Sequence, residues 1–282
     1  MNFDIPREIE AYLDELDAFI ESDIRPLEEQ DDNIRFFDHR REHARTDWDN
    51  GGLPTRAWEE LLEEMKRRAD AAGHYRFALP EEFGGRNGSN LAMARIREHL
   101  AHKGLGLHND LQNESSVVGN LMTPLQLRDF GTAEQQSRFM TPLLERRMGW
   151  AFALTEEAHG SDATWMETRA VHQPRDGVNG WLLNGEKMWT TGLHSATHAL
   201  VYARHGGKDG DARGIGCFIV PTDAPGFSVG EYLWTFNMPT DHPRCRLENV
   251  WVSDDDVLGE IDNGLACAMH FVHESRIRQA AS

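Results

Sequence analysis

Hydrophobic residues recur every three to four positions up to about residue 149, and at every second position for a long stretch beyond it. In the first part, Ile5, Ile9, Leu13, Leu16, Ile20 and Ile24 make one helical stripe, with Pro6 in the first turn and Pro26 just past the expected end. Residues 28–52, with Asp31-Asp32-Asn33 and Asp49-Asn50-Gly51-Gly52, read as a polar connection. A second helix begins at Pro54, sets Trp58, Leu61, Leu62, Met65 and Ala69 on one face, and stops at Gly73. Its flank of Glu59, Glu60, Glu63 and Glu64 reads as a solvated face supported by Arg67 and Arg68. After a turn-rich break over 78–85, helices are predicted over 91–103 and 116–130. Gly131 ends the latter, and Thr132 and Gln135 stand at capping-box spacing for a further helix.

From Trp150 the pattern changes. Trp150, Phe152 and Leu154 alternate with Ala151, Ala153 and Thr155, which predicts a strand, and Gly160-Ser161-Asp162 then turns the chain. In residues 180–192, Asn184-Gly185 lies between two apolar-rich runs and predicts a two-residue type I′ hairpin loop, because both of its central residues need positive φ. Short β-branched or aromatic runs follow at 199–204, 216–220, 226–230 and 246–252, separated by Gly, Pro and Asp, the pattern of a compact antiparallel barrel or sandwich. Residues 264–281 return to helix, with Leu265, Met269, Val272 and Ile277 as the apolar stripe, and this helix ends in mid-pattern. The expected fold class is α+β: an all-helical domain over 1–149, a small antiparallel β-barrel or sandwich over 150–259, and one helix after it.

Composition narrows the function. The net charge is −18, and no run gathers Lys and Arg, so nucleic acid is not an expected partner. The hydrophobic share is 39 %, mean hydropathy is −0.59, and no apolar run approaches a membrane span. The opening Met1-Asn2-Phe3-Asp4 is acidic and unlike a secretory signal. Cys217, Cys245 and Cys267 lack metal or disulfide spacing, and a reducing compartment, the cytoplasm, is expected. The pairs His39/His43 and His194/His198 stand four apart without a His-Glu-x-x-His frame, so no metal is expected. Gly104-Leu105-Gly106-Leu107 follows a helix and lacks a third glycine in phase, unlike a dinucleotide fingerprint.

Two segments suggest binding chemistry. Gly160 permits close approach to the backbone, and free N–H groups with the Ser161 hydroxyl suit a phosphate oxygen. Trp189 beside Thr190 and Thr191 suits a flat heterocycle, covered on its face and hydrogen-bonded at its edge. Either segment alone also reads as part of an ordinary half-buried sheet. Together, Phe152-Ala153-Leu154-Thr155-Glu156, Gly160-Ser161-Asp162 and Asn184-Gly185-Glu186-Lys187-Met188-Trp189-Thr190-Thr191 resemble the acyl-CoA dehydrogenase family. Leu79-Pro80-Glu81-Glu82-Phe83-Gly84-Gly85 and the helix-Gly131-Thr132-helix approach to Trp150 are similar to that family as well.

The resemblance implies three domains: N-terminal helical, middle β, and C-terminal helical, with FAD between the last two. The third would be represented here by its first helix alone, over 260–282, a truncated C-terminal domain. Carried over by position, the flavin contacts fall on Phe152, Leu154 and Thr155, on Gly160 and Ser161 at the phosphates, on Trp189 against the ring and on Thr191 at its N5 edge. Substrate contacts fall on Ser161, His273 and Arg276, with Arg276 expected in a buried ordering role. The implied activity is α,β-dehydrogenation of an acyl-CoA to a trans-2-enoyl-CoA in fatty-acid metabolism, with electrons passed to an electron-transfer flavoprotein or similar acceptor. A homo-oligomer is implied once the missing domain is supplied. The catalytic base stays unassigned: the position where some members carry a glutamate is Ser275, and Glu274 stands one helical step, about 100°, away. Glu157-Ala158-His159 replaces the family's commoner Pro-Gly-Ala. A reading of another class keeps the same motifs as a catalytically silent flavin- or acyl-CoA-binding fragment or interaction module.

Overall fold

The computed structural model describes residues 4–110, 115–235 and 241–281. Helix α1 (Arg7–Phe19) runs through a π-helical turn (Ile20–Ile24) into α2 (Arg25–Glu29). The expected stop at Pro26 is therefore not a stop. Pro26 occupies the first turn of α2, where a residue without an N–H leaves no hydrogen bond unmade. Short 3₁₀ turns and the two-residue ladder of β1 (Thr46–Asp47) with β2 (Leu53–Pro54) fill the polar connection.

Helix α3 (Arg56–Ala71) buries all five residues of its predicted face, and Gly73 turns left-handed at φ 78°. Its acidic flank is only half solvated. Glu64 holds Arg67 and Arg68, but Glu59 reaches His194 at 2.6 Å and Glu63 reaches Arg146 at 3.4 Å. Helix α4 (Asn90–His102) follows, and then β3 (Asn109–Asp110) pairs with β4 (Ser115–Ser116). The helix expected over 116–130 begins only at Met122, as α5 (Met122–Phe130). Ser116 explains the delay, since its hydroxyl donates to the His108 carbonyl at 3.3 Å and accepts from the Val118 N–H at 3.2 Å, a local alternative to helix. Helix α6 (Ala133–Leu144) starts on the predicted Thr132–Gln135 capping box.

The sheet has seven strands: β5 (Trp150–Ala153), β6 (Arg169–His172), β7 (Gly180–Lys187), β8 (His198–Arg204), β9 (Ile215–Pro221), β10 (Phe227–Tyr232) and β11 (Pro243–Ser253). Their order is β10-β11-β7-β6-β8-β5, with β9 on the other edge of β8. Most pairings are antiparallel, but β5 and β6 both lie parallel to β8, through Phe152↔Leu200 and Arg169↔Arg204. One face is small and apolar, with Ala151, Ala153, Ala199, Val201 and Ala203 packed against Leu183, Phe218 and Val250. The other, with Leu200, Tyr202 and Ile219, receives Leu127, Phe139 and Cys267 from α5, α6 and α7 (Gly264–Ala281). Helices and a curled sheet thus form the expected α+β fold.

One local expectation fails in the sheet. Asn184-Gly185 is not a hairpin loop. It lies inside β7, paired on one side with Arg169 of β6 and on the other with Leu247 of β11. The side chain of Asn184 accepts the Asn249 N–H at 2.8 Å, where β11 bulges between Leu247 and Val250. Glycine is required at 185 for approach, because a Cβ there would stand 2.5 Å from Thr168 Oγ1 and 2.7 Å from its Cα. On α7, Leu265 and Met269 of the expected stripe pack half-buried against the helix-facing cluster and Val272 is half-buried, while Cys267 and Ala268 are buried more deeply and Phe271 stacks on Phe152. The Ile277 side chain lies outside the described residues.

Lys187, at the end of β7, is fully buried, and its ammonium donates to Glu156 Oε1 at 2.7 Å and to the Leu154 carbonyl at 3.2 Å. Glu156 also accepts the Thr168 N–H at 2.9 Å and the Glu167 N–H. Burial by itself would raise the pKa of Glu156; the Lys187 ammonium and these N–H groups outweigh it and hold the carboxyl below its ordinary value. Stabilisation from Glu156 is therefore complete above its unfolded pKa of about 4.3 and is lost as pH falls through the folded value. Glu156→Gln should cost about 3 kcal/mol at pH 7, because it strands a buried lysine. In denaturant unfolding, the gap between variant and parent should shrink below about pH 4. A gap independent of pH would show that charge at Glu156 contributes nothing.

Candidate functional site

The two motif segments meet at one end of the sheet. Strands β5 and β7 are not neighbours, yet the Met188 N–H donates to the Thr155 carbonyl at 2.9 Å and Lys187 binds the Leu154 carbonyl beside it. Immediately after this junction Trp189 adopts φ 59°, a left-handed conformation that is rare for a bulky side chain. Such strain persists only where the surroundings impose it. Here they do: the Thr190 N–H is held by the Pro243 carbonyl, the Gly192 N–H by the Asp241 carbonyl at 3.0 Å, and Thr190 is fully buried against Cys245. With both neighbours tied down, the indole of Trp189 is left 40 % exposed, and Thr191 is exposed beside it.

On the β5 side, Phe152 is half-buried, its ring stacked on Phe271 at 4.3 Å and 5.1 Å from that of Tyr202. Leu154 and Thr155 are half-buried and present their carbonyls to Lys187 and Met188. The chain then makes a tight turn in which Glu156 and His159 exchange backbone hydrogen bonds of 3.3 and 3.4 Å. Arg244 braces it by binding Glu157 at 2.8 Å and Glu186 at 3.0 Å. Gly160 and Ser161 follow on the surface, and neither their N–H groups nor the Ser161 hydroxyl hydrogen-bonds to any described residue. A Cβ on Gly160 would meet nothing within 4 Å, so the protein's own packing does not require glycine there. His159 turns toward Trp165 and stands 3.5 Å from Glu167.

The substrate residues carried over to α7 sit apart from this junction. His273 and Arg276 are both exposed, and no hydrogen bond or ion pair among the described residues joins either to the sheet. The expected burial of Arg276 is not observed, because α7 turns Cys267, Ala268 and Phe271 inward and leaves position 276 facing out. Glu274 is half-buried and borders a cavity of about 180 Å³ with Met93, Met122 and Arg128.

Sequence reasoning missed the role of Glu156 and Lys187. A signal was present: Leu183, Gly185 and Lys187 alternate on one face of β7, which puts the lysine inside the sheet and obliges it to find a carboxylate. No group of three or more His, Cys, Asp or Glu placed to hold a metal occurs among the described residues, and no helix there is long and apolar enough to cross a membrane.

Comparison with known proteins places these features in a family. The model of the acyl-CoA dehydrogenase N-terminal domain matches residues 30–147, and that of the acyl-CoA dehydrogenase middle domain matches 151–250. The chain is 33 % identical over 204 residues to the mitochondrial short/branched chain specific acyl-CoA dehydrogenase of Rattus norvegicus, covering 71 % of this chain and 44 % of that one. It is 31 % identical over 225 residues to a 3-(aryl)acrylate reductase of Clostridium sporogenes, covering 79 % and 56 %. The chain thus spans about half the length of the curated relatives it matches. Among solved structures, a putative acyl-CoA dehydrogenase from Mycobacterium abscessus superposes with a TM-score of 0.75 at 22 % identity, covering 99 % of this chain and 67 % of that one, a likeness of fold. With the two domain models matched in order, on either side of the start of β5, the chain belongs to the acyl-CoA dehydrogenase family.

Proposed function

We propose that this chain acts in the FAD-dependent α,β-dehydrogenation of an acyl-CoA thioester to its trans-2-enoyl-CoA, with electrons passed on to an electron-transfer flavoprotein or a similar acceptor. The observation that carries this reading is the pinned junction of Thr155 with Met188, which holds Trp189 in a strained backbone and its indole toward solvent. An exposed aromatic plane beside the exposed Thr191 fits the ring of a flavin, and the N–H groups of Gly160 and Ser161 with the Ser161 hydroxyl, without partners among the described residues, fit its phosphates.

In this reading Trp189 would cover one ring face, Thr191 would hydrogen-bond the N5 edge, and Phe152, Leu154 and Thr155 would line the strand beside it. Ser161, His273 and Arg276 are the proposed substrate contacts. Bound FAD would supply the hydride acceptor for the β-carbon of the thioester, and the chain's part is alignment and exclusion of water. Glu156 does not serve as base, because its charge is spent on Lys187; Glu157 and Glu186 are both spent on Arg244.

That engagement of Glu156, Glu157 and Glu186 favours, as a second reading, a module that binds flavin or acyl-CoA without turning over. The purified chain, incubated with FAD and desalted, separates the two. Yellow protein bleached by saturated straight-chain or branched acyl-CoA thioesters supports dehydrogenation, and yellow protein that none of them bleaches supports the silent module. Protein that retains no colour would defeat dehydrogenation and the flavin-binding form of the module. In fluorescence titrations with FAD, Trp189→Ala should weaken binding about two- to tenfold, the loss of roughly 0.5–1.5 kcal/mol of aromatic stacking. An unchanged Kd would remove Trp189 from the site.

A further inference from the structure

Gly160 and Ser161 are exposed, and their N–H groups and the Ser161 hydroxyl have no partner among the described residues, so the two are held only through what lies on either side. On the far side Asp162 closes a turn: its carboxylate accepts the Thr164 N–H at 3.1 Å and its carbonyl the Trp165 N–H at 3.4 Å. On the near side the backbone bonds between Glu156 and His159, at 3.3 and 3.4 Å, are long for N–H···O. Glu156 itself is anchored by Lys187, but three residues, Glu157 to His159, separate that anchor from Gly160.

Arg244 supplies a second anchor. Pro243, Cys245 and Leu247 of β11 are buried, which turns Arg244 and Arg246 to the other face of the strand. Arg246 lies opposite Glu186 of β7, so Arg244 stands diagonal to Glu186, within reach of a long side chain. Its Nη1 donates to Glu186 at 3.0 Å and to Glu157 at 2.8 Å, which ties the turn to the sheet. The guanidinium holds the Glu157 carboxyl below its ordinary pKa, so the pair is charged at neutral pH. Among the described residues, the one other ion pair to residues 157–161 is that of His159 with the exposed Glu167, at 3.5 Å. Exposed ion pairs add little to stability, so stability does not account for the bridge. Its effect on geometry is larger, because the segment has few other constraints and order imposed before binding need not be imposed by the ligand.

We propose that Arg244 is a positioning residue: by bridging Glu157 to Glu186 it presets the Gly160–Ser161 turn for a phosphate. This role rests on the reading of that turn as the phosphate site of a flavin nucleotide.

Backbone amides of the ¹⁵N-labelled full chain test it. Without ligand, order parameters from Ala158 to Ser161 should fall in Arg244→Gln while those of β11 stay. Inorganic pyrophosphate should shift the Gly160 and Ser161 amides of the parent saturably, and Arg244→Gln should weaken its binding about two- to fivefold. Arg244→Lys should recover part of that loss. In a Glu157→Ala background the loss caused by Arg244→Gln should shrink at least by half; any direct pull of the guanidinium on the anion is common to both backgrounds, so the difference reports the bridge alone. FAD should lose affinity in the same ratio as pyrophosphate, whereas riboflavin, which has the ring but no phosphate, should bind parent and Arg244→Gln alike. The proposal is overturned if pyrophosphate leaves both amides of the parent in place, or if Arg244→Gln weakens it equally with and without Glu157, which would make Arg244 a direct ligand. It is overturned as well if riboflavin loses as much as FAD, the mark of a general disturbance. Pyrophosphate binding that depends on the bridge, in a chain that retains no flavin, would count against the flavin and leave the role of Arg244 standing.

Discussion

The ion pair between Glu156 and Lys187 is the constraint on which the candidate site depends. Three steps of the sheet separate β7 from β5, and ladder hydrogen bonds alone would never bring their ends together. The sheet can curl because its inner face is alanine-rich, and the curl is closed where Lys187 reaches Leu154 and Glu156 while Met188 reaches Thr155. A buried ion pair is a poor source of net stability, since desolvation consumes most of its attraction. Its value here is geometric. A lysine with no water available accepts only the arrangement that supplies a carboxylate and a carbonyl together, and that arrangement fixes Trp189 two residues on.

Much of the helical half was legible in the sequence because its signals are local. The face of α3 from Trp58 to Ala69 and the Thr132–Gln135 capping box are each set by residues a turn apart. Errors appear wherever a distant partner decides. Asn184-Gly185 has the composition of a hairpin loop, but β6 and β11 flank it and Thr168 occupies the space a side chain would need. A local competitor can mislead too: residues 116–121 look helical, but the Ser116 hydroxyl binds the His108 carbonyl and the Val118 N–H instead. The inward face of α7 was only partly legible from its large residues, because small Cys267 and Ala268 pack most closely on the sheet. For the site, the residue types were legible but the distances were not. Nothing local announces that Arg244, far along the chain, braces the turn before Gly160.

The division between helical and β regions is also less sharp in packing than in sequence. Helices α5 and α6 precede the sheet and α7 follows it, yet all three share one apolar cluster with Leu200, Tyr202 and Ile219. Gln126 of α5 donates to the Cys267 carbonyl of α7 at 2.9 Å, and Gln135 of α6 donates to the carbonyls of Asp255 and Val257, both at 2.8 Å. These buried amides fix the helices against backbone from the far end of the sequence, so that β5 is held between the sheet on one side and Phe271 on the other.

Strand β8 pairs with β9 along its whole length on one edge and is shared between β5 and β6 on the other, and from Ala199 to Arg204 it is buried throughout. The β8–β9 contact is local, a hairpin closed over ten residues, whereas β5 must return across more than forty residues to find its place, at a larger loop-closure cost. Loop closure therefore favours formation of the hairpin before the strand bearing Phe152 to Thr155 docks onto it. Amide protons of β8, paired on both edges, should therefore be among the slowest of the sheet to exchange.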